Sequence, residues 1–271
     1  MGLRVNTNIF SLNAQRNLNN VTSRLSGNFQ RLSSGLRIAS ASDDAAGLGI
    51  SERMRSSIRS LGAAGRNAQD GISLAQTAEG ALNEVSSNLV RMRELAVQAS
   101  NGTLNTTDRA TIDDEFQALS TEIERIADTT TFNGVSLLNS TATIDIQVGL
   151  DSGDTIGIDL QDVQEATLGI DSSDLTTSSN AGTALGALDT AINTVNGSRG
   201  ELGASINRLQ SAFRSISSSR ENLSASESRI RDVDIASETA DLTRNSIMQQ
   251  AATSVLAQAN AQPQLALNLL G

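Results

Sequence analysis

Residues 188–234 read LDTAINTVNGSRGELGASINRLQSAFRSISSSRENLSASESRIRDVD. Every seventh residue from Leu188 is apolar: Leu188, Val195, Leu202, Leu209, Ile216, Leu223 and Ile230. The residues four positions further on are mixed: Ile192, Arg199, Ile206, Phe213, Arg220, Glu227 and Asp234. A 4-3 spacing places both sets along one side of an α-helix. This helix needs a partner, because a single helix cannot bury its own apolar stripe.

Residues 61–99 carry the same repeat and are the predicted partner. Their two sets are Leu61, Ala68, Ala75, Leu82, Leu89 and Ala96, and Ala64, Gly71, Ala78, Val85, Met92 and Ala99. Small residues dominate the first half, so a neighbouring backbone can approach closely. We predict an intramolecular seam made by Leu61, Leu82, Leu89, Leu202, Leu209, Ile216 and Leu223. A shorter stripe between the two long helices pairs with both: Ile112, Phe116, Leu119, Ile123 and Ile126.

The two ends of the chain are also helical in pattern. Near the N-terminus the apolar residues Leu18, Val21, Leu25, Phe29, Leu32 and Leu36 recur every three or four positions. The last helix is looser, with Leu242, Met248, Ala252, Val255 and Ala259. Between the long helices, apolar and polar residues alternate on both sides of an Asp-Ser-Gly-Asp turn, which predicts a β-hairpin over about 143–160. Residues 171–182 are Ser/Thr-rich and are predicted to form a linker.

The expected fold is therefore mainly α: a long antiparallel helical coiled-coil bundle folded back on itself, with a small β-hairpin region. The first and last helices become neighbours when the chain turns back at the hairpin. Only 2% of the residues are aromatic and Pro263 is the single proline, which suits long helices packed side by side through Ala, Leu, Ile and Val.

The composition excludes most catalytic chemistry. The chain has no Cys and no His, and all 20 basic residues are Arg. Thiol nucleophiles, disulfides, His bases, Lys chemistry and nearly all zinc sites are thereby excluded, so we expect no enzyme activity, metal or cofactor. The paired Asp43 and Asp44 are interpreted as a helix cap. A net charge of −10 argues against nucleic acid. We expect neither a membrane-inserted segment nor a cleavable signal peptide.

Several longer motifs at both ends resemble the bacterial flagellins. They are NTN (6–8), SLNAQ (11–15), RLSSGLRI (31–38), DDAAGL (43–48), DGISL (70–74), QTAEGAL (76–82), RELAVQA (93–99), ESRIRD (227–232), LAQAN (256–260) and PQ (263–264). The motifs stand in the family's order and span nearly the whole chain. Two departures are the missing Lys and a short middle, which leaves no room for the large outer domains of longer flagellins.

The resemblance implies two domains. Residues 1–42 and 233–271 would form the discontinuous inner domain of terminal helices, called D0. Residues 43–232 would form the helical rod, D1, with 43–55 as the connecting spoke. It also implies export through the flagellar type III apparatus, a secretion chaperone on about 240–271, contacts with the filament cap and hook-associated proteins, and an extracellular location in the filament. The family's contact for a vertebrate Toll-like receptor falls on Arg91, Leu95 and Glu115.

The implied function is a structural subunit that polymerises with copies of itself into the flagellar filament for motility. Two isolated amphipathic helices hardly offset the entropy of ordering them, so we expect the terminal helices to fold on assembly. The residues predicted to mediate self-assembly are Val5, Ile9, Leu12, Leu18, Leu25, Leu32, Leu242, Met248, Val255 and Leu256. The alternative is a hook–filament junction (hook-associated) protein, which shares the terminal helices. Its usual pattern has Pro soon after the paired Asp, where this chain has Ala45-Ala46-Gly47-Leu48.

Overall fold

The computed structural model describes residues 7–268, with side chains described as far as residue 262. In chain order the elements are α1 (Ile9–Ser34), α2 (Ala45–Ala99), α3 (Thr106–Thr129), β1 (Thr131–Phe132), β2 (Val135–Ser136), β3 (Thr143–Gln147), β4 (Thr155–Asp159), α4 (Glu165–Leu168), α5 (Ser178–Arg231) and α6 (Ile235–Asn268). The prediction of a mainly α-helical chain with long helices and a small hairpin is confirmed. None of the helices within residues 7–268 combines the length and the apolar character that crossing a bilayer takes.

The chain divides into two compact units. The terminal unit consists of Met1–Ser56 and Asn222–Gly271, and the central unit consists of Ser57–Glu221. The helices α2 and α5 contribute residues to both units.

In the central unit, α2 and α5 run antiparallel. The Arg93 guanidinium lies 2.6 Å from Asp189 at one end of the pair. Further along, a Cβ atom placed on Gly71 would lie 3.2 Å from a Leu209 methyl group. Both seven-residue sets of α2, from Leu61 to Ala99, are buried. The core also takes Phe116 and Ile123 from α3. This core needs few aromatic rings, because small residues let the helix backbones approach closely.

The buried side of α5 differs from the predicted one by one position. The apolar set from Leu188 to Ile216 is buried as expected, while Leu223 is half-buried. Ala181, seven residues before Leu188, continues this set and is also buried. The companions that are buried lie three residues on, not four: Ala184, Ala191, Ser198 and Ser205. Ile192, Ile206 and Phe213 flank them and are half-buried. Alanines give a weak hydrophobic signal in the sequence and serines give none, yet both lie on the buried side of α5.

The β structure exceeds the predicted hairpin. The expected strands β3 and β4 pair antiparallel, with Ile144 opposite Ile158 and Ile146 opposite Ile156. A second hairpin, β1–β2, turns through Asn133 and Gly134, whose φ angles of 50° and 80° fit a two-residue type I′ turn. The predicted linker 171–182 is wrong in part, because α5 already begins at Ser178. Within it Leu175 is buried, and its N–H donates to Asp113 Oδ1 at 2.8 Å.

Two glycines of α2 are predicted to respond to alanine in opposite ways. At Gly71 a new Cβ would meet Ile146 at 3.0 Å and Leu209 at 3.2 Å, whereas at exposed Gly80 it would meet nothing within 4 Å. Overpacking costs about 1–3 kcal/mol, and alanine gains about 1 kcal/mol of helix propensity. Gly80→Ala should therefore raise the melting temperature of the central unit, measured by circular dichroism, and Gly71→Ala should lower it. Equal shifts in both variants would contradict the close packing at Gly71.

Candidate self-assembly interface

The two terminal helices pack antiparallel against each other within the terminal unit. At one end the Asn8 side-chain amide donates to the Ala259 carbonyl at 2.7 Å. At the other end Arg31 Nε donates to Glu238 Oε1 at 2.9 Å. Since α1 ends and α6 begins close together in space, the two helices form one antiparallel helical pair.

The sequence sets the limits of these helices locally. The Asn8 side chain accepts the N–H of Ser11 at 3.1 Å and caps the start of α1. Gly35 ends α1 in the left-handed region with φ of 72°, a conformation that costs glycine little. Asp234 Oδ1 accepts the N–H of Ala236 at 3.0 Å and caps the start of α6. Both helices therefore begin or end at residues whose side chains or backbone favour a cap.

A short clasp, formed by residues 35–38 and 230–233, joins the ends of α1 and α6. Arg37 N–H donates to the Arg231 carbonyl at 2.7 Å, and Val233 N–H donates to the Gly35 carbonyl at 3.0 Å. The Arg37 guanidinium also donates to the Ile230 carbonyl at 2.7 Å. Ile38 is buried beside these bonds. The clasp fixes the register in which the two terminal helices leave it.

One acidic residue of α2 forms an ion pair with an arginine of the clasp. Glu52 Oε1 lies 2.7 Å from Arg231 and 2.9 Å from Arg55. The hydrogen bond from Arg231, and then that from Arg55, hold the pKa of Glu52 below its ordinary value. A depressed carboxyl pKa contributes stability that is present above the unfolded-state pKa and is lost as the pH falls through the lowered folded-state value. Acid therefore weakens the clasp.

A buried polar network lies between the two helices near the clasp. Asn28 is only 2% exposed and accepts a hydrogen bond from Asn245 Nδ2 at 2.7 Å. Its own amide donates to Glu238, whose carboxylate also pairs with Arg31. Such groups are costly to bury unless each finds its partner, so the network favours a single register of α1 against α6.

The apolar side chains of the terminal helices are incompletely covered. In α1 the buried residues are Ala14 and Asn28, and in α6 the described buried residues are Asn245 and Ala259. Large apolar side chains that are more than half exposed are Ile9, Phe10, Leu12, Phe29, Ile235, Ile247 and Val255. The apolar residues of α6 are spread around its circumference, so one partner helix cannot cover them all.

The predicted self-assembly residues fall into two groups. Half-buried are Leu18, Leu25, Leu32, Leu242, Met248 and Leu256, and exposed are Ile9, Leu12 and Val255. Val5 lies outside the described residues. The predicted self-assembly set lacks four exposed residues: Phe10, Phe29, Ile235 and Ile247, of which Phe29 appears in the predicted apolar stripe of the first helix. A large apolar residue on an otherwise polar helix face was the signal that could have found them.

Two of the three residues predicted to form a receptor-type surface are exposed. Arg91 and Glu115 are both exposed and form an ion pair of 2.7 Å between α2 and α3. Leu95 is 2% exposed and belongs to the core of the central unit. The structure therefore brings the two charged residues together at the surface and places the leucine in the core.

Comparison with known proteins identifies the family. A model of the bacterial flagellin N-terminal helical region matches residues 5–143, and a model of the C-terminal helical region matches residues 185–270. The chain belongs to the bacterial flagellin family. It is 50% identical to a flagellin of Halalkalibacterium halodurans, covering 98% of this chain and 99% of that one. It is 44% identical to a flagellin of Bacillus subtilis, covering 99% of this chain and 100% of that one.

A solved structure is similar to part of the chain. The crystal structure of Bacillus cereus flagellin is 39% identical, with a TM-score of 0.52 over 56% of this chain and 88% of that one. The chain is thus a structural subunit of a self-polymerising filament and not an enzyme. The hook–filament junction alternative has no better support, because both family models and both relatives are described as flagellins.

Removing the buried amide of the terminal unit should weaken the filament. Asn28→Ala leaves the Asn245 amide without its acceptor, at a cost of about 1–3 kcal/mol. The critical concentration for polymerisation, measured by sedimentation, should rise about 5- to 150-fold. Asn17→Ala is the matched control, because Asn17 is exposed on the same helix and gains the same helix propensity. Equal critical concentrations of the two variants would contradict a role for the network.

Proposed function

We propose that copies of this chain polymerise into the flagellar filament through the exposed apolar side chains of α1 and α6. The observation that carries this proposal is the set of seven large apolar residues on the two terminal helices that are more than half exposed, such as Ile247 at 61% exposure. A lattice of copies surrounds each pair of helices with further helices, so that sides left open in one molecule become covered. An interface repeated without closure gives a helical filament.

The distribution of charge supports contact through the terminal unit. This unit carries ten arginines and eight carboxylates, whereas the central unit carries ten arginines and twenty-two carboxylates. Central units of neighbouring copies therefore repel one another at long range, and that repulsion is screened by salt. Terminal units are close to neutral and meet with little electrostatic cost.

The terminal helices fold on assembly. Ordering a residue's backbone costs about 1–2 kcal/mol, and burying a Leu or Ile side chain stabilises by about 1.5–3 kcal/mol. In α1 and in α6 as far as residue 262, the large apolar side chains stay half-buried or exposed, so a lone molecule gains little from ordering them. Neighbouring copies supply the missing burial.

The division into an inner domain of 1–42 and 233–271 and a rod of 43–232 is part of the proposal. The clasp at 35–38 and 230–233 lies beside both proposed boundaries and supports them. Residues 43–55 act as the spoke, and most of them form the first turns of α2.

Assembly outside the cell implies several partners. The chain is exported unfolded by the flagellar type III apparatus, and a secretion chaperone covers about 240–271, which includes the exposed Ile247 and Val255. The cap and the hook-associated proteins meet the ends of the filament through the same terminal helices. The substitution Ile247→Asn should abolish binding of the chaperone, measured by calorimetry. An unchanged affinity of the chaperone for this variant would rule out the contact at Ile247.

Recognition by a vertebrate Toll-like receptor is proposed through the exposed pair Arg91 and Glu115. Monomeric protein should activate reporter cells, and Arg91→Ala should reduce that response more than Arg208→Ala, an exposed arginine of α5. A wild-type monomer without activity in this assay would refute the proposal.

Polymerisation should depend on exposed apolar residues of the terminal unit. Ile247→Asn removes a side chain whose burial between copies is worth about 1.5–3 kcal/mol, so the critical concentration should rise about 10- to 150-fold. Seeded growth, followed by light scattering and electron microscopy, measures this change.

Leu150→Asn is the control for this experiment. Leu150 is exposed beside the β3–β4 turn of the central unit, and its substitution should leave the critical concentration unchanged. Filaments that form equally well from both variants would rule out α6 as the assembly surface.

Amide exchange should reveal the folding of the terminal helices. In monomeric protein the amides of α1 and α6 should exchange quickly and those of α2 between Leu61 and Ala99 slowly, because the latter lie in a complete core. In filaments both regions should exchange slowly. Slow exchange at Leu18 to Leu32 in the monomer would show that these helices are ordered before assembly.

A further inference from the structure

Three Asn-Gly dipeptides occur in the chain, and the structure places them in three different backbone settings. Asn101-Gly102 lies in the turn between α2 and α3, Asn133-Gly134 lies in the tight turn between β1 and β2, and Asn196-Gly197 lies inside α5. All three asparagines are exposed. Exposure therefore does not separate them, and their reactivity is set by what the backbone around each one permits.

Asn-Gly is the dipeptide most prone to spontaneous deamidation, because glycine leaves its N–H open to attack the preceding side chain. The amide nitrogen of the glycine must reach Cγ of the asparagine. The backbone must be free to make this approach, and the attacking N–H must not be held by another acceptor. An activated Cγ=O and a more acidic N–H both speed the reaction.

The turn at Asn101 meets these conditions. Within the part of the chain that the structure describes, the Gly102 N–H finds no hydrogen-bond acceptor. Asn101 Oδ1 accepts the N–H of Thr103 at 3.2 Å, an Asx turn that folds the side chain over the peptide bond that follows. The same hydrogen bond draws electrons from Cγ and stabilises negative charge on Oδ1, as an oxyanion hole does.

A cation activates the attacking nitrogen. Arg109 Nη2 donates to the Asn101 carbonyl oxygen at 2.8 Å, while its Nε donates to the Ala99 carbonyl at 2.9 Å. The Asn101 carbonyl belongs to the same peptide group as the Gly102 nitrogen. A guanidinium on that oxygen favours the deprotonated, anionic form of the peptide group, because opposite charges attract. The turn therefore activates both reacting atoms.

The other two dipeptides are held away from reaction. In α5 the Gly197 N–H lies in the helical hydrogen-bond ladder, and the helical backbone of Asn196 keeps its side chain away from that nitrogen. At Asn133 the left-handed φ of 50° belongs to a two-residue turn closed by the pairing of Phe132 with Val135. Rotation of that backbone toward attack would break the hairpin.

We propose that Asn101 is a site of self-modification, at which the folded turn promotes conversion of the asparagine to aspartate and isoaspartate. The Gly102 nitrogen loses its proton to solvent base and forms a bond to Asn101 Cγ. The Cγ–Nδ2 bond breaks, and ammonia leaves with a proton from water. Water then opens the resulting succinimide at either carbonyl, which gives aspartate or isoaspartate without any oxidant or reductant.

The product changes the turn between α2 and α3. Either product adds a negative charge next to Arg109, and isoaspartate also adds one carbon to the main chain. The Arg109 bonds to Ala99 and Asn101 must then rearrange. The chemistry proceeds without another protein, so its extent records the time that the folded chain has spent in water.

Peptide mapping by mass spectrometry tests the proposal on the full chain at mildly alkaline pH, once folded and once in denaturant. Isoaspartate is quantified with an isoaspartyl methyltransferase. In denaturant the three asparagines should convert at similar rates. In folded protein Asn101 should convert faster than in denaturant, and conversion at Asn133 and Asn196 should be lost.

Two variants separate activation by the fold from the dipeptide itself. Arg109→Gln should slow conversion at Asn101 in folded protein and leave the rate in denaturant unchanged. Asn101→Gln should remove the folded-state product, while Asn196→Gln should not change it. Conversion of Asn101 that is no faster in folded than in denatured protein would overturn the proposal. Equal conversion at all three sites in folded protein would overturn it as well.

Discussion

The decisive constraint on this molecule is that two helices cannot cover each other on all sides. The terminal helices α1 and α6 pack on each other, and a single neighbouring helix covers about a third of a helix circumference. The apolar residues of α1 and α6 extend beyond that third, as Phe10, Phe29 and Ile247 show. In a lone molecule, water therefore contacts large apolar side chains. Only helices of other copies can cover these side chains and exclude the water.

The central unit satisfies the same constraint within one chain. Its helices α2, α3 and α5 and its hairpins give each apolar stripe more than one neighbour. Alanines at the middle of α2, such as Ala75 and Ala78, are fully buried, and so is the aromatic ring of Phe116. Close approach of helix backbones replaces the large aromatic side chains that a globular core of this size would use. The same chain thus contains a complete core in the central unit and an incomplete one in the terminal unit. The central unit is ordered by its own contacts, whereas the terminal helices need contacts with other copies.

Polar contacts in the terminal unit set register more than stability. The Asn28–Glu238–Arg31–Asn245 network and the clasp each allow one alignment of α1 with α6, because a shift by one turn would leave buried amides without partners. Exposed ion pairs such as Arg244–Asp241 contribute little. In a subunit that must add to a lattice many times in the same way, a fixed register keeps the exposed apolar residues in the same positions in every copy.

The sequence alone determined the helices, the hairpin β3–β4, the seam of α2 and the family, because these depend on periodicity and on long motifs that neighbours do not alter. Only the tertiary structure decided which residues lie inside. It buried Ser198, Ser205 and Leu95, and it left Phe10 and Ile247 in water. Burial depends on how many elements surround a position. Periodicity shows on which side of its own helix a side chain lies, and it does not show which other elements pack against that side.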